Sequence, residues 1–568
     1  MAAAASHRSH LAALRSRPGA KVLIVGGGIN GVATFRQLAL QGVDVALIER
    51  GDYCQGASGA SSHMIHGGIR YLENGEFRLV HESVQERNSL LEIAPHYVKP
   101  LRTTIPIFST FSGILSAPVR FLTHRSGKAT ERGAVLIKAG LVIYDLFAGA
   151  GGRNTPWHKF RGTKGSLAEL PMLRTDVKYT ATYFDASVHN PERLTLDVLR
   201  DGLEANRQAR AANYVSLIGH NESGARLRDE LTGEEFDFDA EIIVNATGAW
   251  VDLTNGSIGA PSQFMGGTKG SHIVLDHPAL LAACGGREIF FEHSDGRIVL
   301  IYPMGDRVLV GTTDIDADMS EPARCTDAEV EYFFELIRHV FPTIKVGHEQ
   351  IVYKFSGVRP LPRHDDTAPG FVSRDYRIER SELAGESIMF SLVGGKWTTF
   401  RALGETLGGK VLDELGVSST VSTRGLPIGG GKNFPDSSAA LQSWFGARSL
   451  LASRARLEVL LTRYGTRADA VLDAIGPNDP TLPGCAELSV AELRYLAEHE
   501  QLGMLSDVFI RRTSLAFRGL VTNELLVQVA EAIAPVLGWD AAEQARQVSE
   551  CARVLTEDHG SNLALTNA

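Results

Sequence analysis

Three glycines and one acid, spaced as Gly26-x-Gly28-x-x-Gly31 with Glu49 eighteen residues further on, mark the part of this chain best suited to holding a dinucleotide. Alone the glycines say little, because glycine accounts for 58 of 568 residues. Their surroundings make the pattern informative. Lys21 to Val25 (KVLIV) reads as a short buried strand running into Gly26, and Asn30 to Gln41 as the helix that follows. Gly26 permits the tight turn, Gly28 lets the backbone approach a pyrophosphate, and Gly31 lets helix and strand pack closely. The helix start, at Ile29 and Asn30, offers N–H groups and a positive dipole end to the phosphates. Glu49 closes the next strand, Val43 to Ile48, where it accepts hydrogen bonds from ribose hydroxyls and disfavours a 2′-phosphate.

NAD and FAD share this fingerprint, so the rest of the chain must separate them. Ser58, Ser61 and Ser62 follow soon after Glu49 and set small hydroxyl residues beside a second phosphate. Ala246-Thr247-Gly248 ends the strand Glu241 to Val244 (EIIV), where a flavoenzyme closes over its dinucleotide. Far along the chain, Gly394-Gly395-Lys396-Trp397-Thr398-Thr399 is another glycine turn entering a helix, with N–H groups suited to negative charge on a reduced flavin ring. One cofactor touched at both ends of a long chain points to FAD.

The elements that must position these groups form a strand, helix, strand alternation, which implies a parallel sheet with covered faces. Glu76 to Leu91 reads as a long helix stopped by Ala94-Pro95. Gly270 to Leu275, Ile298 to Tyr302 and Arg307 to Gly311 read as an antiparallel sheet of a second domain. Past Gly429-Gly430-Gly431 and Pro435, Ala- and Leu-rich helical periodicity indicates a separate helical domain. We therefore expect a disordered leader over 1–20, an FAD-binding domain over 21–105, 166–265 and 350–428, a cap domain over 106–165 and 266–349, and a helical domain over 429–568. A chain of 568 residues is long enough for two or three cores.

Bulk properties exclude several classes. The net charge of −9 argues against general nucleic-acid binding. Cys54, Cys284, Cys325, Cys485 and Cys551 are scattered and odd in number, which is neither a disulfide framework nor a metal site and fits a reducing cytosolic compartment. No apolar run approaches the ~20 residues of a spanning helix. One stretch departs from the acidic average. Between Arg120 and Lys164 nine cations face only Glu131 and Asp145, and apolar residues such as Phe121, Leu136 and Phe147 are interleaved. That stretch suits either an anionic membrane surface or a solvated helical hairpin.

The segments GGGINGVATFRQLALQGVDVALIER, GASSHMIHGGIRYLENGEFRLV, KGSHIV, GTTD, SGVRPL, SRDY and GGKWTTF together resemble FAD-dependent, quinone-linked glycerol-3-phosphate dehydrogenases. The resemblance runs in order from about residue 20 to residue 405 and more weakly through Arg494 to Ser514. His63 departs from it, at a position where lysine is expected in some relatives. The fold implied is α/β (α+β): a Rossmann-like FAD-binding domain of the D-amino-acid-oxidase/glutathione-reductase type, an antiparallel-sheet cap and a helical C-terminal domain.

The resemblance implies oxidation of sn-glycerol 3-phosphate to dihydroxyacetone phosphate, with hydride passing from C2 to flavin N5 and electrons onward to a membrane quinone. Arg70, Arg359, Arg374 and Lys396 stand in the matching motifs as cations for the phosphate, a task that suits the arginine fork. His66 and His272 both qualify as the base. Tyr71 is expected to orient the hydroxyl and Thr313 to line the pocket, while Gly67, Gly68 and Gly357 join the cofactor contacts. No metal is expected. A homodimer lying peripherally on the inner, cytoplasmic face of the cell membrane follows from the family. An oxygen-using glycerol-3-phosphate oxidase and a non-catalytic flavin-binding interaction protein are the alternatives.

Overall fold

The computed structural model describes residues 8–68, 77–109, 134–147, 149, 156–292, 298–319, 321–363, 375–477 and 479–564. Its organising element is a sheet that crosses from Arg377–Glu382 through Ile388–Val393, Glu235–Asn245, Gly19–Val25 and Val45–Glu49 to Arg210–Asn213. The last five strands run parallel and the first is antiparallel to its neighbour. Val22, Leu23, Ile24 and Val25 are all buried, as a strand covered on both faces requires. Val22 and Ile24 face one core and Leu23 and Val25 another, on opposite sides of the sheet. Helix Ile29–Leu40 lies between Pro191–Ala205 and Phe400–Glu414 on the first of these faces.

A second sheet of ten strands includes Thr268–Leu275, Arg307–Gly311, Ile298–Met304, Glu288–Glu292, Val98–Ile107, Tyr179–Val188 and Ile351–Arg359. Alternation along its strands divides two cores. Ile273, Leu275, Ile289, Phe291, Val299 and Ile301 pack under helix Asp327–Val340. Val274, Leu300, Tyr302, Tyr353 and Phe355 face the other way, into the core of the C-terminal helices. Those helices include Arg454–Tyr464, Val490–His499, Asn523–Leu537 and Ala541–Arg553, which begin at side-chain N-caps supplied by Ser453, Ser489, Thr522 and Asp540.

Two expectations about organisation are corrected. Ser9–Ser16 is a helix whose Leu11 and Leu14 are buried on the first sheet, and the first strand already begins at Gly19, so these residues are not a disordered leader. Val98–Ile107, Tyr179–Val188 and Ile351–Arg359, placed in the FAD-binding domain by sequence position, pair within the second sheet. The C-terminal helices form the expected helical domain, and their core continues onto one face of that sheet. Hydrophobic runs announce strands, but pairing partners distant in sequence decide the sheet. Of the basic stretch, helix Ala134–Phe147 and residues 156–164 are described, while Arg120, Arg125, Lys128, Arg132 and Arg153 lie outside the described residues.

Within the C-terminal core Glu492 is fully buried and accepts hydrogen bonds from Arg463 Nη1 at 2.6 Å and Tyr464 OH at 2.7 Å, with Arg456 on its other oxygen. Burial pushes its pKa upward, but Arg463 and Arg456 outweigh that and hold it below the ordinary carboxylate value. Glu492→Ala leaves two buried guanidiniums without their anion, and the unfolding free energy from urea denaturation is expected to fall by about 3–5 kcal/mol. In the parent chain this contribution is complete above the ordinary carboxylate range and disappears only as pH falls through the lowered value.

Candidate active site

The dinucleotide cradle forms where the strand Gly19–Val25 ends. Gly26 adopts φ +113° and its N–H donates to Ile48 O at 2.8 Å. A Cβ on Gly31 would lie 2.0 Å from Gly26 O, so the helix reaches this strand end only because residue 31 has no side chain. No side chain caps the helix at Gly28, and Ile29 N donates to Ser58 Oγ at 3.0 Å. Glu49 accepts Gly27 N at 2.7 Å and Gly51 N at 2.9 Å, and its pKa is raised by burial against the pull of these two N–H groups. Ala246-Thr247-Gly248 closes the third side, with Ala246 N donating to Val25 O at 2.9 Å and Thr247 Oγ1 to Asn245 Oδ1 at 2.6 Å.

The late glycine turn docks onto the same place. A Cβ on Gly395 would lie 2.8 Å from Asn30 Nδ2. Trp397 Nε1 donates to Ser58 O at 3.0 Å and Thr398 Oγ1 to His66 O at 3.3 Å. Lys396, buried, donates from Nζ to Ser83 Oγ at 2.9 Å. Thr398 and Thr399 are buried at the start of helix Phe400–Glu414. Arg359 ends its strand nearby, donating from Nη1 to Asp314 Oδ1 at 2.9 Å and from Nη2 to Thr312 Oγ1 at 3.0 Å and Thr313 O at 2.8 Å. The guanidinium lies over Gly270, where a Cβ would come within 2.2 Å of Nη2.

These features fit a dinucleotide. Gly28 gives the helix no cap of its own and leaves only Ser58 Oγ within contact of where a Cβ would sit, and buried Asn30 Oδ1 has no hydrogen-bond partner among the described residues. The comparisons agree. Residues 21–406 match the family of FAD dependent oxidoreductases, and residues 421–544 match the C-terminal domain of alpha-glycerophosphate oxidase. A glycerol-3-phosphate dehydrogenase of Synechocystis is 31% identical, over 93% of this chain and 95% of its own length. The chain belongs to the FAD-dependent glycerol-3-phosphate dehydrogenase family. The aerobic glycerol-3-phosphate dehydrogenase of Bacillus subtilis is 28% identical over 87% of each chain. The fold matches a glycerol-3-phosphate dehydrogenase from Bacillus halodurans solved with FAD, at a TM-score of 0.72, 21% identity and coverage of 97% and 98% of the two chains. FAD is the cofactor of this family member.

The cradle residues expected in a dehydrogenase of this family (Gly26, Gly28, Ile29, Asn30, Gly31, Glu49, Ser58, Ala246, Thr247, Gly248 and Gly395) converge as described. Ser61 and Ser62 have structural partners: Ser61 Oγ accepts His63 N at 3.2 Å, and Ser62 Oγ pairs with His272 Nε2 at 2.9 Å. Gly357 lets its strand approach Ala60, whose Cβ a side chain there would meet at 2.6 Å. Arg70, Tyr71 and Arg374 lie outside the described residues.

Two residues expected at the substrate have partners within the protein. Thr313 is 1% exposed, and its hydroxyl donates to Glu329 Oε1 at 2.7 Å while accepting Ser271 N at 3.0 Å, so it ties the capped start of helix Asp327–Val340 to the sheet. His272 is 2% exposed and stacks on Phe355 at 4.8 Å between centroids, so it supports Ser62 from behind. Burial, reinforced by the Arg359 charge, lowers its pKa well below the ordinary imidazole value and keeps it neutral.

Sequence reading missed the groups that hold the His66-Gly67-Gly68 turn. Gly67 N donates to Tyr144 OH and Asp185 Oδ1, both at 3.1 Å, and Arg87 Nη1 donates to the same two atoms at 2.9 and 3.0 Å. All three side chains are buried. Arg87 and Asp185 are 98 residues apart, so spacing carries no signal, and only a charged residue on the apolar face of each element hints at a pair. Asp314, which anchors Arg359, was visible as the last residue of GTTD but received no role. Gly31→Ala is expected to abolish FAD retention, so that the folded protein purifies without visible flavin absorbance; a yellow Gly31→Ala protein would show that helix and strand can separate without cost.

Proposed function

We propose that this protein oxidises the C2 hydroxyl of sn-glycerol 3-phosphate to dihydroxyacetone phosphate and passes the electrons to a membrane quinone. The observation that supports this reading is that two anchored cations stand on segments that pack against the cradle, the 394–399 turn at Asn30 and the strand end whose Gly357 approaches Ala60. Lys396 sits in the turn locked to His66 by Thr398, and Arg359 is held on the neighbouring strand end by Asp314 and Thr312. Bound FAD supplies the two-electron acceptor for the hydrogen leaving C2. Arg359 and Lys396 hold the phosphate, each through charge-assisted hydrogen bonds that contribute roughly 1.5–3 kcal/mol. His66, half-buried at the turn, accepts the hydroxyl proton, whereas His272 is buried behind Ser62. Names of the relatives supply the substrate.

The acceptor reading rests on helix Ala134–Phe147. Val135, Val142, Ile143 and Leu146 are 49%, 39%, 39% and 64% exposed, and Phe77 beside it is 40% exposed. Exposed Lys138 lies on the same helix. An apolar face beside a lysine suits the surface of an anionic bilayer, where a lipid-soluble quinone is reached. No described helix is long and apolar enough to cross a membrane. A second reading, oxygen as acceptor, is favoured by the match of residues 421–544 to a domain named for an oxidase.

Three measurements test this. Anaerobic addition of glycerol 3-phosphate is expected to bleach the flavin absorbance and glycerol is not; bleaching by neither would remove the substrate assignment. His66→Asn is expected to slow flavin reduction by about 10²–10⁴-fold, and an unchanged rate in a rapid-mixing experiment would remove His66 as the base. Turnover with a soluble quinone analogue, without stoichiometric hydrogen peroxide in air, is the expected acceptor behaviour; peroxide at the rate of substrate loss would favour the oxidase.

A further inference from the structure

The C-terminal helices reach the FAD site through a buried charge cluster. Asp52, three residues after Glu49, is fully buried. Its Oδ2 accepts Arg511 Nε and Arg512 Nη1, both at 2.6 Å, and its Oδ1 accepts Arg512 Nη2 at 3.0 Å and Asn213 Nδ2 at 2.8 Å. Burial would raise the Asp52 pKa, but the two guanidiniums overcome it and hold the carboxyl ionised. Two further contacts come from the same C-terminal segment. Gln501 Oε1 accepts Tyr53 OH at 2.7 Å, and Asp507 Oδ1 accepts Tyr214 OH at 2.7 Å.

What these contacts grip is the loop that shapes the cradle. Gly51 N donates to Glu49 Oε1 at 2.9 Å, and Gly51 O accepts Tyr214 N at 2.8 Å. Cys54 N donates to Gly27 O at 3.1 Å, and the Tyr53 ring packs where a Cβ on Gly27 would fall, 2.6 Å from Cδ1. Thus every residue from Gly51 to Cys54 touches either the glycine turn, Glu49 or the C-terminal segment. The position of the Glu49 carboxylate depends on that loop, and the loop is pinned from outside the dinucleotide-binding fold.

We infer that Gln501, Arg511 and Arg512 are positioning residues for FAD, clamping the loop Gly51–Cys54 so that the C-terminal domain sets how tightly the cofactor is held. They touch the loop and leave the flavin chemistry to the groups already described. Because coupling between two sites is reciprocal, FAD in the cradle must in turn tighten the clamp. The inference rests on FAD binding alone and is independent of the substrate and the electron acceptor.

The test uses the full-length chain and reads cofactor binding without turnover. Tyr53→Phe removes only the bond to Gln501, and Arg511→Met removes one of the two guanidiniums while Arg512 keeps its fork on Asp52. Each is expected to raise the Kd for FAD about 5–10-fold, and Arg511→Lys is expected to recover part of that loss. Thr522→Ala, which uncaps a C-terminal helix outside this network, weakens the domain and is expected to leave the FAD Kd unchanged. In amide hydrogen exchange, adding FAD to the stripped chain is expected to slow exchange across residues 500–514. Unchanged FAD Kd in folded Tyr53→Phe and Arg511→Met, or equal losses in Thr522→Ala, would overturn the inference, as would exchange across 500–514 that ignores FAD. Loss of glycerol 3-phosphate oxidation with an unchanged FAD Kd would count against the proposed reaction and not against the clamp.

Discussion

The contact on which the site depends is the approach of helix Ile29–Leu40 to the end of strand Gly19–Val25, close enough that Gly31 has no room for a Cβ beside Gly26 O. That approach sets the helix N-terminus at the strand end, with Ser58 Oγ on its first N–H. It also leaves Gly27 N free to meet Glu49. The neighbouring strands, buried on both faces, hold this geometry against fluctuation because any tilt of the helix would open the core between Val22, Val32 and Leu407. The cradle is a property of close packing, and the binding groups ride on it.

Charge is then brought to the cradle by elements from elsewhere. Lys396 arrives on a turn that begins after strand Ile388–Val393, and Arg359 on a strand of the second sheet, so the two cations belong to different sheets. Each is fixed by a polar neighbour, Ser83 for the ammonium and Asp314 for the guanidinium. The buried triad of Arg87, Asp185 and Tyr144 does the same for the His66-Gly67-Gly68 turn. Such clusters are costly to desolvate and specify one arrangement only when every member is satisfied. Here the cluster satisfies Gly67 N as well, linking helix Ala134–Phe147 to the His66-Gly67-Gly68 turn through Tyr144.

Much of the fold could be read from sequence because its signals are local. KVLIV, the glycine spacing and the acid after VDVALI each act within one turn of chain, and the structure places strand, helix and strand where they indicate. Strands of the second sheet announced themselves by apolar runs, yet their membership was misassigned for Val98–Ile107, Tyr179–Val188 and Ile351–Arg359. A strand's composition reports that it is buried and says nothing of its partner. Thr313 and His272 show a related limit of spacing: a polar residue inside a motif can serve the pocket or the wall behind it, and their burial and partners are set only by the fold.

Sequence by itself determined that the N-terminal βαβ unit is of the dinucleotide-binding kind, since glycine, acid and spacing act through backbone sterics over short distances, whereas FAD and the family were legible only from the later motifs and the resemblance they carry. Tertiary structure alone decided which groups anchor Arg359 and Lys396, that the first helix packs rather than floats, and that Asp52 is gripped by Arg511 and Arg512 from 459 and 460 residues away. The reason is physical. Backbone geometry is encoded residue by residue, whereas the partner of a buried charge is chosen by whatever the folded chain brings within reach, and burial makes that choice obligatory.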